Sequence, residues 1–369
     1  MSKPRSPRQI MRSILQRIAT GPELSKDIAE DEARAGMDAI LNQQVDEVQA
    51  GIFFIALRMK RETDEENRGV LSAIIDASDR VVADVDEVVD IADPYDGYNR
   101  SLPVSPFLPA LLAECGVHAV CHGLDEVGPK YGITHRHVLQ AAGVDVDKTP
   151  AEAAARLSDP DLGWAYVDQA RFAPKLHDLV DLRARMVKRN VITTVEVLPR
   201  PISGRQRTHF VTGYVHKPYP PIYAMLARHA GFDSALLIRG VEGGVIPSLR
   251  QPGRFFHYHG AGELIGVDTD PLSLGIEQEL RAPPLPSDLP PNPDASDEIT
   301  LPVDRRAAAR AAAEQGRAAL SGARGAAYDA LVYSSALILH HLGRFDSPRA
   351  AAESVRKVLD SGRAAQRVA

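Results

Sequence analysis

Residues 88–143 read VVDIADPYDGYNRSLPVSPFLPALLAECGVHAVCHGLDEVGPKYGITHRHVLQAAG, and the order of apolar and polar runs in this stretch decides the fold class. Val88–Ala92 is a short apolar run of the length and composition of a buried strand. Turn chemistry follows at once in Asp93, Pro94, Asp96, Gly97 and Asn99. A helical pattern runs from Pro103 to Glu114, with proline near its start. A second apolar run, Val117–Cys121, breaks into the loop His122–Gly132, and a further helix opens at Thr134. Strand, loop, helix, repeated, is the outline of a parallel α/β unit. Ligands of such sheets sit beyond the carboxyl ends of the strands, which is where both loops fall. A helix N-terminus after each loop favours an anion there.

Outward from this stretch the chain divides in two. Residues 7–83 carry helical stripes: Ile10, Met11, Ile14, Leu15 and Ile18, then a helix capped at Ser25, then Val45–Arg58, then one opened by Thr63 and its acidic first turn. The reading is a mainly α-helical domain over 1–83, joined by part of 150–200, and an α/β domain over 84–369. Within the latter, Gly163–Val167, Val191–Leu198, His209–Val215, Ser234–Arg239 and an edge strand Phe255–His259 read as strands. Ala173–Arg189 reads as a basic helix, and Pro218–Gly231, Arg305–Ala319, Tyr328–Leu342 and Ser347–Leu359 also read as helices. Residues 283–303 hold seven prolines and read as an extended surface connection. No apolar run spans a bilayer, Arg12 and Arg17 interrupt the only N-terminal apolar cluster, and Cys115 and Cys121 give no disulfide framework. A cytoplasmic protein without a membrane partner is the expectation. A net charge of −6 weighs against a surface built throughout for nucleic acid, while leaving room for a local basic groove.

The order of motifs resembles the anthranilate phosphoribosyltransferase family, which shares its fold with the pyrimidine nucleoside phosphorylases. The segment from Leu24 to Asn67 is similar to the family's helical entry segment. ARFAPKLHD at Ala170–Asp178 matches its Phe-Ala-Pro followed by His. Arg183–Arg189 resembles its Arg-rich helix, SALLIRGVEGG from Ser234 its strand ending in His-Gly-x-Asp-Gly, and LDSGRA from Leu359 its closing helix. The resemblance implies a small α-helical bundle beside a large α/β domain with a mostly parallel sheet, an active site in the cleft, and a homodimer. It implies transfer of phosphoribosyl from its pyrophosphate to an aromatic amine such as anthranilate, with Mg²⁺ at the leaving group.

Residue by residue, the catalytic signature is altered. Where the family has Gly-Thr-Gly-Gly-Asp-Gly, this chain has Ala92-Asp93-Pro94-Tyr95-Asp96-Gly97, and Ser105 alone stands for the following hydroxyl run. In the next loop Cys121 replaces a lysine, His122-Gly123 remain, and Lys130 and Gly132 fall on the later Lys and Gly. Val245-Ile246 stand where the family's metal-binding Asp-Glu pair belongs, so the usual Mg²⁺ ligands are absent. The implied ligand set is therefore Asp93, Asp96, Gly97, Asn99, Arg100, Ser105, His122, Gly123 and Lys130 for a phosphorylated small molecule, and His177 and Arg183 for an acceptor. Arg239 and Glu242 complete the cleft and resemble a divergent subgroup's Arg-Gly-x-Glu-Gly, some of whose members bind nucleic acid. Three expectations follow: a phosphoribosyltransferase-like enzyme, a non-catalytic nucleic-acid or nucleotide binder, or a nucleoside phosphorylase-like enzyme. His122, His135 and His137 match no strong zinc spacing and read as ordinary hydrogen-bonded histidines.

Overall fold

A computed structural model describes residues 5–21, 23–295 and 297–368. The chain opens with four helices, α1 (Pro7–Ile18), α2 (Glu30–Leu41), α3 (Glu47–Lys60) and α4 (Asp64–Asp76). Three begin with a side-chain oxygen on an N-terminal amide, from Ser6, Asp46 and Thr63. Helix α2 differs from expectation. It starts at Glu30, and Ser25 instead accepts from the Gly21 amide at 3.2 Å. The Ile28 amide is held by buried Glu66 at 3.0 Å, so tertiary contact fixes where α2 begins.

The strands follow as β1 (Val81–Val82), β2 (Glu87–Ala92), β3 (Ala119–Gly123), β4 (Trp164–Asp168), β5 (Ile202–Ser203), β6 (Arg207–Tyr214), β7 (Ser234–Arg239), β8 (Gly253–His259) and β9 (Ile265–Thr269). Among the described residues β1 pairs with β5, and seven strands form one sheet in the order β4-β3-β2-β6-β7-β8-β9. The first five run parallel, β8 runs antiparallel to β7, and β9 antiparallel to β8. Strand β8 is thus interior, with β9 outside it. Alternate residues feed two cores. Val89, Ile91, Val211, Leu236 and Ile238 pack with helices 108–114, 305–320, 326–341 and 348–360. Val88, Val120, Phe210, Ala235 and Leu237 pack with the N-terminal bundle and helix Tyr219–Ala230. Burial on both faces explains the continuous apolar runs of the parallel strands.

One strand expectation is overturned. Val191–Val195 is an α-helix, with the Asn190 side chain capping the Ile192 amide at 2.9 Å. It packs against α3 and α4, so a β-branched run is helical where the bundle needs a fourth wall. The basic helix expected over 173–189 is broken into Pro174–His177 and Val180–Met186. No helix among the described residues is long and apolar enough to cross a membrane.

Candidate functional site

Both loops singled out in the sequence leave the carboxyl ends of β2 and β3, and they are stapled together. Tyr98 and Ile133 exchange backbone hydrogen bonds of 3.0 and 2.8 Å, and the Gly132 amide donates to the Asp96 carbonyl at 2.9 Å. The approach admits no side chain at either glycine. A Cβ on Gly97, whose φ is +76°, would lie 2.7 Å from Gly132 carbonyl carbon, and one on Gly132 would lie 2.6 Å from Tyr98 backbone. The proline-rich connection is more than a surface tether. Leu301 donates its amide to Lys130 at 3.0 Å, Leu102 donates to Pro283 at 2.9 Å, and the Asn99 amide group reaches the Ile299 carbonyl.

A cavity of about 540 Å³ opens between these loops and the helical bundle. Its floor is Pro94–Asp96, Asn99, Arg100, Lys130 and Glu242. Its far wall is Arg58 of α3, Thr193, Thr194, Tyr219 and Tyr223, with Arg189 at the rim. Of the expected ligand residues, Asp96, Asn99, Arg100, Lys130 and Glu242 line this cavity.

Glu242 organises the floor. It sits at φ 55°, ψ 14°, in the left-handed region, within the glycine-rich turn after β7. Its carboxylate accepts from the Asn99 amide at 3.0 Å, the Arg100 amide at 3.1 Å and the Ser101 hydroxyl at 2.7 Å. Three donors converging on one carboxylate form an anion receptor. Lys130 lies beside it, donating to the Gly97 carbonyl at 2.8 Å, with its Nζ 3.6 Å from Asp96 and 3.8 Å from Glu242. Asp96 also accepts from Arg189 at 2.5 Å. Lys130 and Arg189 thus answer the charges of Asp96 and Glu242, and Arg100 adds a further cation at the floor.

The other expected residues are placed elsewhere. Asp93 is buried, and its carboxylate accepts from Tyr98 at 2.7 Å, His135 at 2.9 Å, the Val245 amide at 2.9 Å and Ser105. Burial alone would raise its pKa, but the charge of His135 and the hydrogen bonds from His135, Ser105 and Tyr98 hold it below the usual carboxylate range. Asp93 and Ser105 thus brace the loop from beneath and do not line the cavity. His122 is buried between Asp90, at 2.7 Å, and the Tyr95 hydroxyl, and Gly123 ends β3 behind it. Burial foremost, with nearby carboxylates, pushes the Tyr95 phenol well above its ordinary value, so it stays a neutral donor.

The two acceptor residues also lie outside the cavity lining. Arg183 makes a buried bidentate pair with Glu196, both bonds 2.7 Å. With this fork committed to Glu196 and the side chain only 3% exposed, the guanidinium is not presented to a ligand in the cavity. His177 sits on the short helix Pro174–His177 with a buried Nδ1 that finds no partner among the described residues. Arg239 lines an adjoining groove with Arg281 and Ser248, which shares Arg100 and Glu242 with the cavity. Sequence reasoning missed Arg58, Arg189 as an individual cation, and the Tyr219–Tyr223 wall. Their signal was weak, because Arg58 reads as one charge on an apolar helix.

Val245 and Ile246 are buried in the core, with no oxygen on either side chain. Asp96 and Glu242 are engaged as described. The residues present do not fit the family's Mg²⁺ arrangement, which needs free oxygen ligands.

Residues 12–78 match the model of the glycosyl transferase family helical bundle domain. The chain is 26% identical over 363 residues to the anthranilate phosphoribosyltransferase of Desulforudis audaxviator, covering 97% of this chain and 94% of the relative. The Rhodococcus jostii enzyme of the same name is 27% identical over 263 residues, 69% of each chain. Among solved structures, the chain is similar to anthranilate phosphoribosyltransferase from Saccharomyces cerevisiae in complex with PRPP and Mg. The TM-score is 0.76 at 15% identity, over 98% of this chain and 96% of that one. The Thermus thermophilus enzyme gives 0.72 at 18% identity, over 97% of both. The bundle match, the relatives and the solved structures agree on the architecture: the chain has the anthranilate phosphoribosyltransferase fold, with buried Val245 and Ile246 where the resemblance puts that family's metal-binding carboxylate pair.

Proposed function

We propose that this is a phosphoribosyltransferase-like protein that takes a phosphorylated ribose-type ligand in the cavity between the bundle and the two loops. The observation that carries this reading is the convergence of the Asn99 amide, the Arg100 amide and the Ser101 hydroxyl on the Glu242 carboxylate. The loop has lost its glycine cradle, yet it still presents three donors to one anion. A phosphate would take these donors by displacing Glu242, with Lys130 beside it and Arg58 and Arg189 lining the same cavity. The tyrosine wall offers a π-face and hydroxyls to an aromatic group beside it. Arg183 and His177 play no direct part in this reading, so the acceptor differs from the family's or is met by Arg58 and Tyr219, themselves joined at 3.0 Å.

Calorimetry with phosphoribosyl pyrophosphate, ribose 5-phosphate and pyrophosphate, each with and without Mg²⁺, tests the reading. Saturable binding that is insensitive to Mg²⁺ supports it, and absence of heat with all three sinks it. Loss of anthranilate fluorescence in the presence of phosphoribosyl pyrophosphate reports transfer separately.

A second reading rests on a different observation. His216, Tyr219 and Tyr223 form an aromatic run, with centroid spacings of 6.3 and 5.8 Å, at a cleft bearing Arg58, Arg100 and Arg189. Rings interleaved with cations suit single-stranded nucleic acid. Fluorescence anisotropy with a labelled oligonucleotide, repeated across salt, separates this from small-ligand binding. A homodimer is also proposed, through the face where Val48 and Met59 of α3 are 71% and 77% exposed. Light scattering giving a monomer mass at micromolar concentration would remove that element.

A further inference from the structure

The histidines unused by the cleft gather at the other end of the sheet. Strand β6 runs from His209 at that end to Tyr214 at the cavity, five residues or about 17 Å away. His209 is paired across the sheet with Ser234, and Ser234 with His259. His257 and His259 alternate with Tyr258 along β8, so both face the last turn of the helix Ala326–His341. The ring of His341 stacks on His259 at 4.3 Å between centroids and stands at 82° to His257 at 5.8 Å. One nitrogen from each of His257, His259 and His341 lies within 4.8 Å of the others.

The hydrogen bonds around this group fix which nitrogen of His341 is bare. Glu87 can only accept, so His209 donates to it from Nε2, at 2.9 Å. His209 Nδ1 then accepts from the Ser234 hydroxyl at 2.7 Å. With its one proton used, Ser234 accepts from His341 Nε2 at 2.8 Å. His341 Nδ1 is left as a lone pair. It is buried and has no partner among the described residues, and the same is true of His257 Nδ1.

We propose that His257, His259 and His341 form a site for a divalent first-row transition-metal ion of the Zn²⁺ type. Three imidazole nitrogens without a carboxylate suit a borderline cation and exclude Ca²⁺ and Mg²⁺. Zinc–nitrogen bonds of about 2.0–2.1 Å place tetrahedral ligands about 3.4 Å apart, so the rings close inward on binding, with exposed His259 free to rotate. The Nε2–H of His341 on Ser234 is the outer hydrogen bond that orients a metal-bound imidazole. An ion here pins the β8–β9 hairpin to the helix Ala326–His341, remote from the cleft.

The test uses the full chain without an affinity tag. Titration with Zn²⁺ by calorimetry, and with Co²⁺ by visible absorption, should give one ion per chain, imidazole-type d–d bands and a higher Tm with Zn²⁺. His259→Ala, at an exposed position, should weaken binding at least tenfold while leaving the far-UV spectrum unchanged. Ser234→Ala should weaken affinity about 10–100-fold without changing stoichiometry. No saturable binding to wild type at micromolar Zn²⁺, or binding to His259→Ala equal to wild type, would overturn the proposal.

Discussion

At the scale of single residues, two arginines that look alike in sequence have opposite roles. Arg183 is buried on Glu196 through two bonds of 2.7 Å, whereas the Arg189 side chain is 41% exposed and meets Asp96 at the cavity rim. Arg183→Ala leaves a buried carboxylate unpaired and should cost about 3–5 kcal/mol in urea unfolding. Arg189→Ala should leave stability within about 0.5 kcal/mol and weaken phosphorylated-ligand binding instead. Equal effects of the two on stability would contradict the assignment. Asp93 supplies a pH signature. Its folded pKa is depressed, so its contribution is present at neutral pH and is lost as pH falls from about 4, the unfolded value, through the folded one. Asp93→Asn should therefore lower the urea midpoint at pH 7 and flatten its decline between about pH 5 and pH 3. A variant whose acid profile keeps the wild-type slope would place the linkage elsewhere.

At the scale of elements, what was legible depended on whether local pattern and tertiary need agreed. Ser234–Arg239 is a strand with the expected bounds, because its apolar run, its bounding glycine and its two-sided burial all point the same way. Thr63 and Thr134 cap the helices they were expected to start. Val191–Val195 failed because β-branching is a weak preference, overridden when Asn190 caps a helix that closes the bundle. The stapling of the two loops was invisible in sequence, since Tyr98 and Ile133 are far apart along the chain. It makes Gly132 a sharp probe. Gly132→Ala sets a Cβ 2.6 Å from Tyr98 backbone nitrogen and oxygen. It should destabilise by about 1–3 kcal/mol and abolish ligand binding, read by thermal unfolding and calorimetry together. Wild-type behaviour in both would mean that the loops are not held as described.

At the scale of the whole molecule, the fold matches that of the solved anthranilate phosphoribosyltransferases, while Val245 and Ile246 offer no oxygen to a metal. The bundle and the α/β domain share the fold of the similar solved structures, and they were readable because burial periodicity and turn residues carry them. The site was readable only as a region. Asp96, Asn99, Arg100, Lys130 and Glu242 do meet at one cavity, but nothing in the one-dimensional pattern reveals that Glu242 holds a left-handed backbone and plugs the amides of residues 99 and 100. The histidine group was half legible, since His257-Tyr258-His259 shows its alternation and His341 enters only through the packing of a distant helix. The central claim is that Glu242 stands where an anionic ligand group binds. Hydrogen bonds to a charged acceptor are worth roughly 1.5–3 kcal/mol against about 0.5–1.5 for a neutral one, so Glu242→Gln should ease displacement by at least tenfold. The direct measurement is calorimetric titration of wild type and Glu242→Gln with phosphoribosyl pyrophosphate under identical conditions. The account predicts a dissociation constant at least tenfold lower for the variant, and equal or weaker binding by Glu242→Gln would contradict it.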